Sequence, residues 1–204
     1  MSSQRVLIFR HGETDWNVQE RFQGHMDIPL NEQGREQARR LAPTLAQYKL
    51  EAVLASDLSR AHETGQIVAR ALSIPVFTDV DLREAHLGAA QGMTRPEIEF
   101  KFGLELATRW RSWKAVDADI SYPGGETGDA IRARAFRAME RFLRAQPFQI
   151  IGVASHGGVI RRVMQHLLPK HAGPVPIPNG VHYELHFEPS TGRWSTPFVI
   201  PRPH

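Results

Sequence analysis

Two arginines, two histidines and one carboxylate stand where short apolar runs of this chain end. The first run, Val6 to Phe9, passes directly into Arg10-His11-Gly12. A second, Ala52 to Ala55, leads into Ser56-Asp57-Leu58-Ser59-Arg60, and a third is followed by "DLREAHLG", which holds Glu84. The run from Ile150 to Ala154 ends in Ser155-His156-Gly157-Gly158. This set suits phosphoryl transfer. Guanidinium forks match phosphate oxygens bidentately and stay charged at any working pH. A backbone N–H at Gly157, opening a helix, adds an anion site. An imidazole can attack phosphorus and hold the group covalently, while a carboxyl group protonates the departing oxygen and then activates water. Cations around the imidazole keep it neutral enough to attack. With this much fixed positive charge the reading needs neither metal nor cofactor.

The elements that must bring these residues together follow from hydrophobic periodicity. Strands are expected over Arg5–Phe9, Ala52–Ala55, Ile74–Thr78 and Ile150–Ala154, alternating with amphipathic helices. One helix starts after Asn31 as N-cap and meets a kink or boundary at Pro43. Others run over Ser59–Leu72, from Thr127 to about Ala145, and over Gly157–Leu168. Thr94 to Trp113 reads as one or two short helices broken near Gly103. The tail from Gly180 alternates around Ser190-Thr191-Gly192, as an antiparallel edge hairpin does. The pattern is α/β: a three-layer αβα sandwich on a mostly parallel sheet, one domain over residues 1–204 with a small helical cap insertion at about 93–122. In such sheets ligands sit at the carboxyl ends of the strands, where the five residues lie. Adjacent strand residues face opposite ways, so Gly12 is expected to let the backbone turn Arg10 and His11 towards one phosphate.

Composition narrows the alternatives. The 204 residues include no cysteine, which removes disulfides, a Cys nucleophile and Cys-ligated metals. No apolar run is long enough to span a membrane, and "MSSQR" before "VLIF" does not read as a signal peptide, so a cytoplasmic protein is expected. The net charge is only +3 with scattered arginines, so nucleic acid is not expected as a partner. Arg134, Arg137, Arg141 and Arg144 recur at helical spacing and read as a solvated face. Gly88 to Gly92 lacks the Lys-Ser/Thr of a P-loop, and Gly152 to Ser155 is not a nucleophile elbow. Neither the remaining histidines nor the pairs Asp57/Glu63 and Asp117/Asp119 suggest a metal site.

The segments "LIFRHGETDWN", "LASDLSRAHETG", "LREAHLGAAQG", "PGGET" and "VASHGGVIR" resemble, in order, the signatures of the histidine phosphatase superfamily, phosphoglycerate mutase-like branch. The resemblance implies His11 as the phosphorylated nucleophile, Arg10, Arg60 and His156 around the phosphoryl group, and Glu84 as acid and base. It also places Asn17, Gln23, Gly24 and Gly157 near the phosphate. Gln23 stands where many relatives carry a small hydroxyl residue.

That branch holds both mutases and phosphatases. Where the mutases resemble His-Gly-Asn, this chain has His156-Gly157-Gly158. Leu87 replaces a tyrosine, Arg95 a lysine, and Trp110-Arg111-Ser112 a paired arginine motif, and the loop before Pro123 is shorter. These departures favour hydrolysis of a small phosphorylated metabolite. A mutase or a non-catalytic phospho-ligand binder are the alternatives. Arg95 and Arg111 would serve an acidic substrate. Phe22, His25, His86, Leu87, Phe102 and Trp110 are candidates for the pocket wall, although for any single aromatic core packing is the favoured reading. A homodimer is left open.

Overall fold

The computed structural model describes residues 3–113, 117, 119–169 and 173–197. Its six strands are β1 (Gln4–Arg10), β2 (Ala52–Ala55), β3 (Val76–Thr78), β4 (Ile150–Ser155), β5 (His182–Glu188) and β6 (Arg193–Ser195), in the spatial order β3-β2-β4-β1-β5-β6. The first four are parallel, and β5 and β6 add antiparallel strands beside β1. The expected class is therefore found.

Alternation along β1 divides the core. Leu7 and Phe9 face α2 (Glu32–Ala46) and α3 (Ser59–Leu72), where Leu41, Leu45 and Val68 are buried. Val6 and Ile8 face the opposite layer of α6 (Gly128–Ala145) and α7 (Gly157–Leu167), meeting Ile131, Met139, Val159 and Val163. All four β1 side chains are fully buried, each worth about 1.5–3 kcal/mol relative to exposure. The strand that carries the histidine is thus fixed from both sides. Among the described residues no helix is long and apolar enough to cross a membrane.

The helix boundaries follow the expected caps. Asn31 accepts the N–H of Gly34 at 2.8 Å and Thr127 accepts that of Ala130 at 3.2 Å. Pro43 does not end its helix: α2 continues to Ala46. Proline there removes one N–H bond near the last turn, and buried Leu41, Ala42 and Leu45 hold the turn in place. The 93–113 segment forms α4 (Arg95–Phe102) and α5 (Leu104–Trp110), joined at Gly103, beside the sheet's carboxyl edge. The short α1 (Asp15–Val18) follows β1 and is capped reciprocally by Thr14 and Asn17.

Gly12 is required for a different reason than expected. It has no positive φ. Instead a Cβ there would stand 2.2 Å from the carbonyl oxygen of Gly34, and one on Gly34 would stand 2.1 Å from that of Glu13. Backbone packs on backbone where β1 ends, which anchors the loop after His11 against the start of α2.

Candidate active site

Register brings the two histidine segments together. Arg10 pairs with Ser155, and the His11 N–H donates to the Ser155 carbonyl at 3.0 Å. The rings of His11 and His156 lie 5.2 Å apart between centroids. His11 Nδ1 is 2.6 Å from its neighbour's carbonyl, Gly12 O. A carbonyl can only accept, so Nδ1 carries the proton and Nε2 carries the lone pair. The same loop is held by Asn179, whose amide donates to the carbonyls of His11 and Gly12 at 3.0 and 3.1 Å. The Gly12 N–H donates to Thr64 Oγ1, which donates in turn to the Arg60 carbonyl.

Both flanking arginines are held by backbone carbonyls rather than by carboxylates. Arg60 is fully buried and donates to Met26 O and Gly24 O, both at 2.8 Å. Arg10 donates to Ile177 O at 2.6 Å. The Nε atoms of Arg10 and Arg60 and Nδ1 of His156 are buried without a partner among the described residues. His156 Nε2 meets Ser56 Oγ at 2.9 Å. Carbonyl acceptors orient a guanidinium without cancelling its charge, so the full charge remains for an anionic ligand. Burial lowers Arg60 to a pKa of about 10, which leaves it protonated at neutral pH.

Burial, and then the charges of Arg10 and Arg60, hold His11 well below the usual imidazole range. His156 is lowered in the same way, by burial first and then by Arg60. Both rings are therefore neutral in the folded protein, as a nitrogen nucleophile must be. The linkage has a definite sign. Below about pH 6.5 the unfolded chain protonates these histidines while the folded chain does not, so the unfolded state binds more protons. Stability is complete above that pH and falls as the pH drops towards the folded pKa values, by up to about 1.4 kcal/mol per pH unit for each ring. Urea unfolding at pH 7.5 and 5.5 should show the decline, with a shallower one in His156→Gln. An identical pH slope in the variant would contradict burial as neutral imidazole.

Glu84 stands across from this pair on the loop after β3. Its oxygens accept the N–H groups of Ala85 at 2.8 Å and Gly158 at 3.0 Å. A Cβ at position 158 would lie 2.3 Å from Glu84 Oε1, so glycine lets the carboxylate sit directly on the start of α7. Arg134 fixes the loop from behind. It donates to the carbonyls of Asp81, Arg83 and Glu84 at 2.6–2.9 Å and forms a two-pronged pair with Glu126. The expectation that Arg134 belongs to a solvated face is therefore corrected: it is only 7% exposed, because the Glu84 loop lies across its side of α6.

These groups open onto a cleft of about 390 Å³ at the sheet's carboxyl edge. A family profile described as histidine phosphatase superfamily (branch 1) matches residues 6–197. The chain belongs to that superfamily. Phosphoglycerate mutase-like protein 4 of Arabidopsis thaliana is 39% identical over 167 residues, 80% of this chain and 71% of that protein. The 2,3-bisphosphoglycerate-dependent phosphoglycerate mutase 2 of Gloeobacter violaceus is 30% identical, covering 84% of this chain and 80% of its own. Glucosyl-3-phosphoglycerate phosphatase of Mycobacterium tuberculosis is 33% identical, over 82% of this chain and 77% of that protein. A structure of the mycobacterial enzyme with VO3 superposes at a TM-score of 0.81 and 30% identity, covering 96% of this chain and 98% of that one.

In this member of the superfamily the cleft gathers most of the expected residues. Arg10, His11, Arg60 and Glu84 line it with Asn17, Gln23, Gly24 and Gly157. Arg95, Arg111, Phe22, Leu87 and Trp110 line it as well. His156 is fully buried directly behind His11 rather than among the lining residues. Three candidates for the wall lie elsewhere. His25 Nε2 donates to the Glu84 carbonyl at 2.7 Å, and His86 stacks edge-on against His25, so both lie behind the acid loop. Phe102 packs on Tyr122, with ring centroids 5.4 Å apart. Motif proximity cannot tell the front of a loop from its back.

Trp16, Arg161 and Asn179 were missed. Asn179 sits in a Pro-Asn-Gly turn, a signal for a turn but not for its partners 167 and 168 residues away. Arg161 was readable in principle. It lies four residues after Gly157, which puts both on one face of α7.

Proposed function

We propose that this chain is a metal-independent phosphatase that hydrolyses a small phosphomonoester through a phosphohistidine at His11. The observation that carries the reading is the Nδ1–H bond of His11 to Gly12 O, which commits the ring's proton and leaves Nε2 as the nucleophile. Its lone pair forms an N–P bond as the P–O bond to the alcohol breaks, and Glu84 gives its proton to the departing oxygen. Water then loses a proton to Glu84 as its oxygen bonds to phosphorus. The N–P bond breaks, the pair returns to Nε2, and inorganic phosphate results. Arg10, Arg60 and the N-terminus of α7 supply positive charge where the equatorial oxygens gather negative charge. The buried His156 adds a donor behind them.

Hydrolysis is preferred to return of the phosphoryl group. Leu87 and Trp110 offer apolar contact at the cleft, and Gly158 adds no side chain that would hold an acceptor alcohol. The test is an alkaline quench after mixing with a 32P-labelled phosphomonoester in excess chelator, since an N–P bond is labile in acid. An alkali-stable phosphoryl-protein and undiminished phosphate release are expected. Full loss of activity restored by a metal ion would overturn metal independence. Isomerisation of 3-phosphoglycerate, primed with 2,3-bisphosphoglycerate, running faster than its hydrolysis would establish the mutase instead.

A further inference from the structure

We propose that His25 is a positioning residue that ties the acid to the phosphate clamp: its ring orients Glu84, while the main chain on either side orients Arg60. This deepens the phosphatase reading and rests on it. The segment Gly24-His25-Met26 serves both groups. Arg60 donates to the carbonyls of Gly24 and Met26, both at 2.8 Å. The side chain between those carbonyls reaches Glu84 O instead, with Nε2 at 2.7 Å. A carbonyl only accepts, so Nε2 carries a proton. The segment is itself held at two points. The His25 N–H donates to Gln91 Oε1 at 2.7 Å, and Asp27 accepts the N–H of Ser59, the first residue of α3, at 2.7 Å. Arg60 is the next residue of that helix, so clamp and segment share an anchor.

The bond to Glu84 O acts on the carboxylate through one peptide plane. The Glu84–Ala85 peptide is trans, so its C=O and N–H point in opposite directions and resist being twisted apart. Its oxygen accepts His25 and, at 2.9 Å, Arg134. Its N–H donates to Glu84 Oε1 at 2.8 Å. Fixing the oxygen from behind therefore fixes the hydrogen bond that aims the carboxylate, and donors on the oxygen polarise that N–H further. The two holders divide the task. Arg134 spreads its donors over Asp81 O, Arg83 O and Glu126 as well, and so places the whole loop. His25 gives its Nε2 proton to this one peptide. His86 packs edge-on against the ring, with centroids 5.0 Å apart, and limits its rotation.

The test compares p-nitrophenyl phosphate with an alkyl phosphate, whichever of 3-phosphoglycerate, glycerol 3-phosphate and phosphoserine the wild type hydrolyses fastest. His25→Phe fills the space of the ring without a donor. It should lower kcat/KM for the alkyl ester by about 5- to 50-fold, the loss of one part-buried hydrogen bond passed on to the acid. For the aryl ester, whose phenolate needs no proton, the loss should be less than about 3-fold. The inhibition constant of inorganic phosphate should stay within about 3-fold of wild type, because the substitution keeps the main chain that holds Arg60. His25→Gln presents an N–H at the reach of Nε2 and should recover most of the loss. His25→Asn, one carbon shorter, should behave like His25→Phe and separates the missing donor from any misfit of the phenyl ring. Equal loss on both esters, a matching rise in the phosphate inhibition constant, or a glutamine variant no better than the asparagine one would each overturn the proposal. So would unchanged rates in all three variants. Failure of the phosphatase reading looks different: the wild type releases phosphate from none of the four esters.

Discussion

His11→Gln is expected to lose hydrolysis by roughly 10⁴- to 10⁶-fold, the scale seen when an enzyme loses its covalent nucleophile. The alkali-stable label should vanish with it. Glutamine approximates the size of the ring and can still donate to Gly12 O, but its amide nitrogen has no lone pair available for attack. The neighbouring His156 is no substitute. Its Nε2 is engaged by Ser56, and the whole ring is buried behind His11. Persistent label in the variant, at any residue, would move the nucleophile elsewhere. Binding of phosphate should largely survive, because Arg10 and Arg60 are held by carbonyls that the substitution does not touch. A loss of phosphate binding as large as the loss of rate would show that the ring positions the arginines instead of attacking.

Glu84→Gln should cost about 10²- to 10⁴-fold with alkyl phosphates, whose alkoxide needs a proton as it departs. With p-nitrophenyl phosphate the loss in the first step should be small, because the phenolate leaves without help. A plot of rate against leaving-group pKa should therefore be steeper for the variant than for the wild type. Parallel lines would remove Glu84 from the acid role. Position 158 offers a second route to the same group. A Gly158→Ala methyl would fall 2.3 Å from Glu84 Oε1 and must displace the carboxylate while leaving its chemistry intact. That variant should show the same leaving-group dependence in milder form.

Strand positions and the order of motifs carried the site far into the sequence, because β1 and β4 are buried on both faces and their ends are marked by abrupt polarity. The Arg10-His11 pair, Arg60 and Glu84 are separated widely along the chain, yet each lies at or beyond the end of a strand, and a parallel sheet collects such positions on one edge. What stayed hidden depends on contacts across layers. Helical periodicity assigns Arg134 to the side of α6 away from the apolar stripe, but it does not reveal a loop crossing that side. The same limit hid the placement of His25 and His86 behind Glu84. Pro43 is tolerated inside α2 for an energetic reason: the local cost of proline is set against buried neighbours that only the folded α2 and α3 layer supplies. Gly12 was rightly singled out, but for backbone freedom rather than for its contact with Gly34.

The carbonyl-held arginines have a consequence for the end of the catalytic cycle. Arg10 Nε, Arg60 Nε and His156 Nδ1 are buried without partners among the described residues, and inorganic phosphate can offer oxygens to them as well as any ester can. Departure of phosphate returns these groups to an unsatisfied condition, which costs roughly 1–3 kcal/mol for each donor. The device that welcomes the substrate therefore also detains the last product. Inorganic phosphate is expected to inhibit hydrolysis, and initial rates measured at rising phosphate concentration would show it.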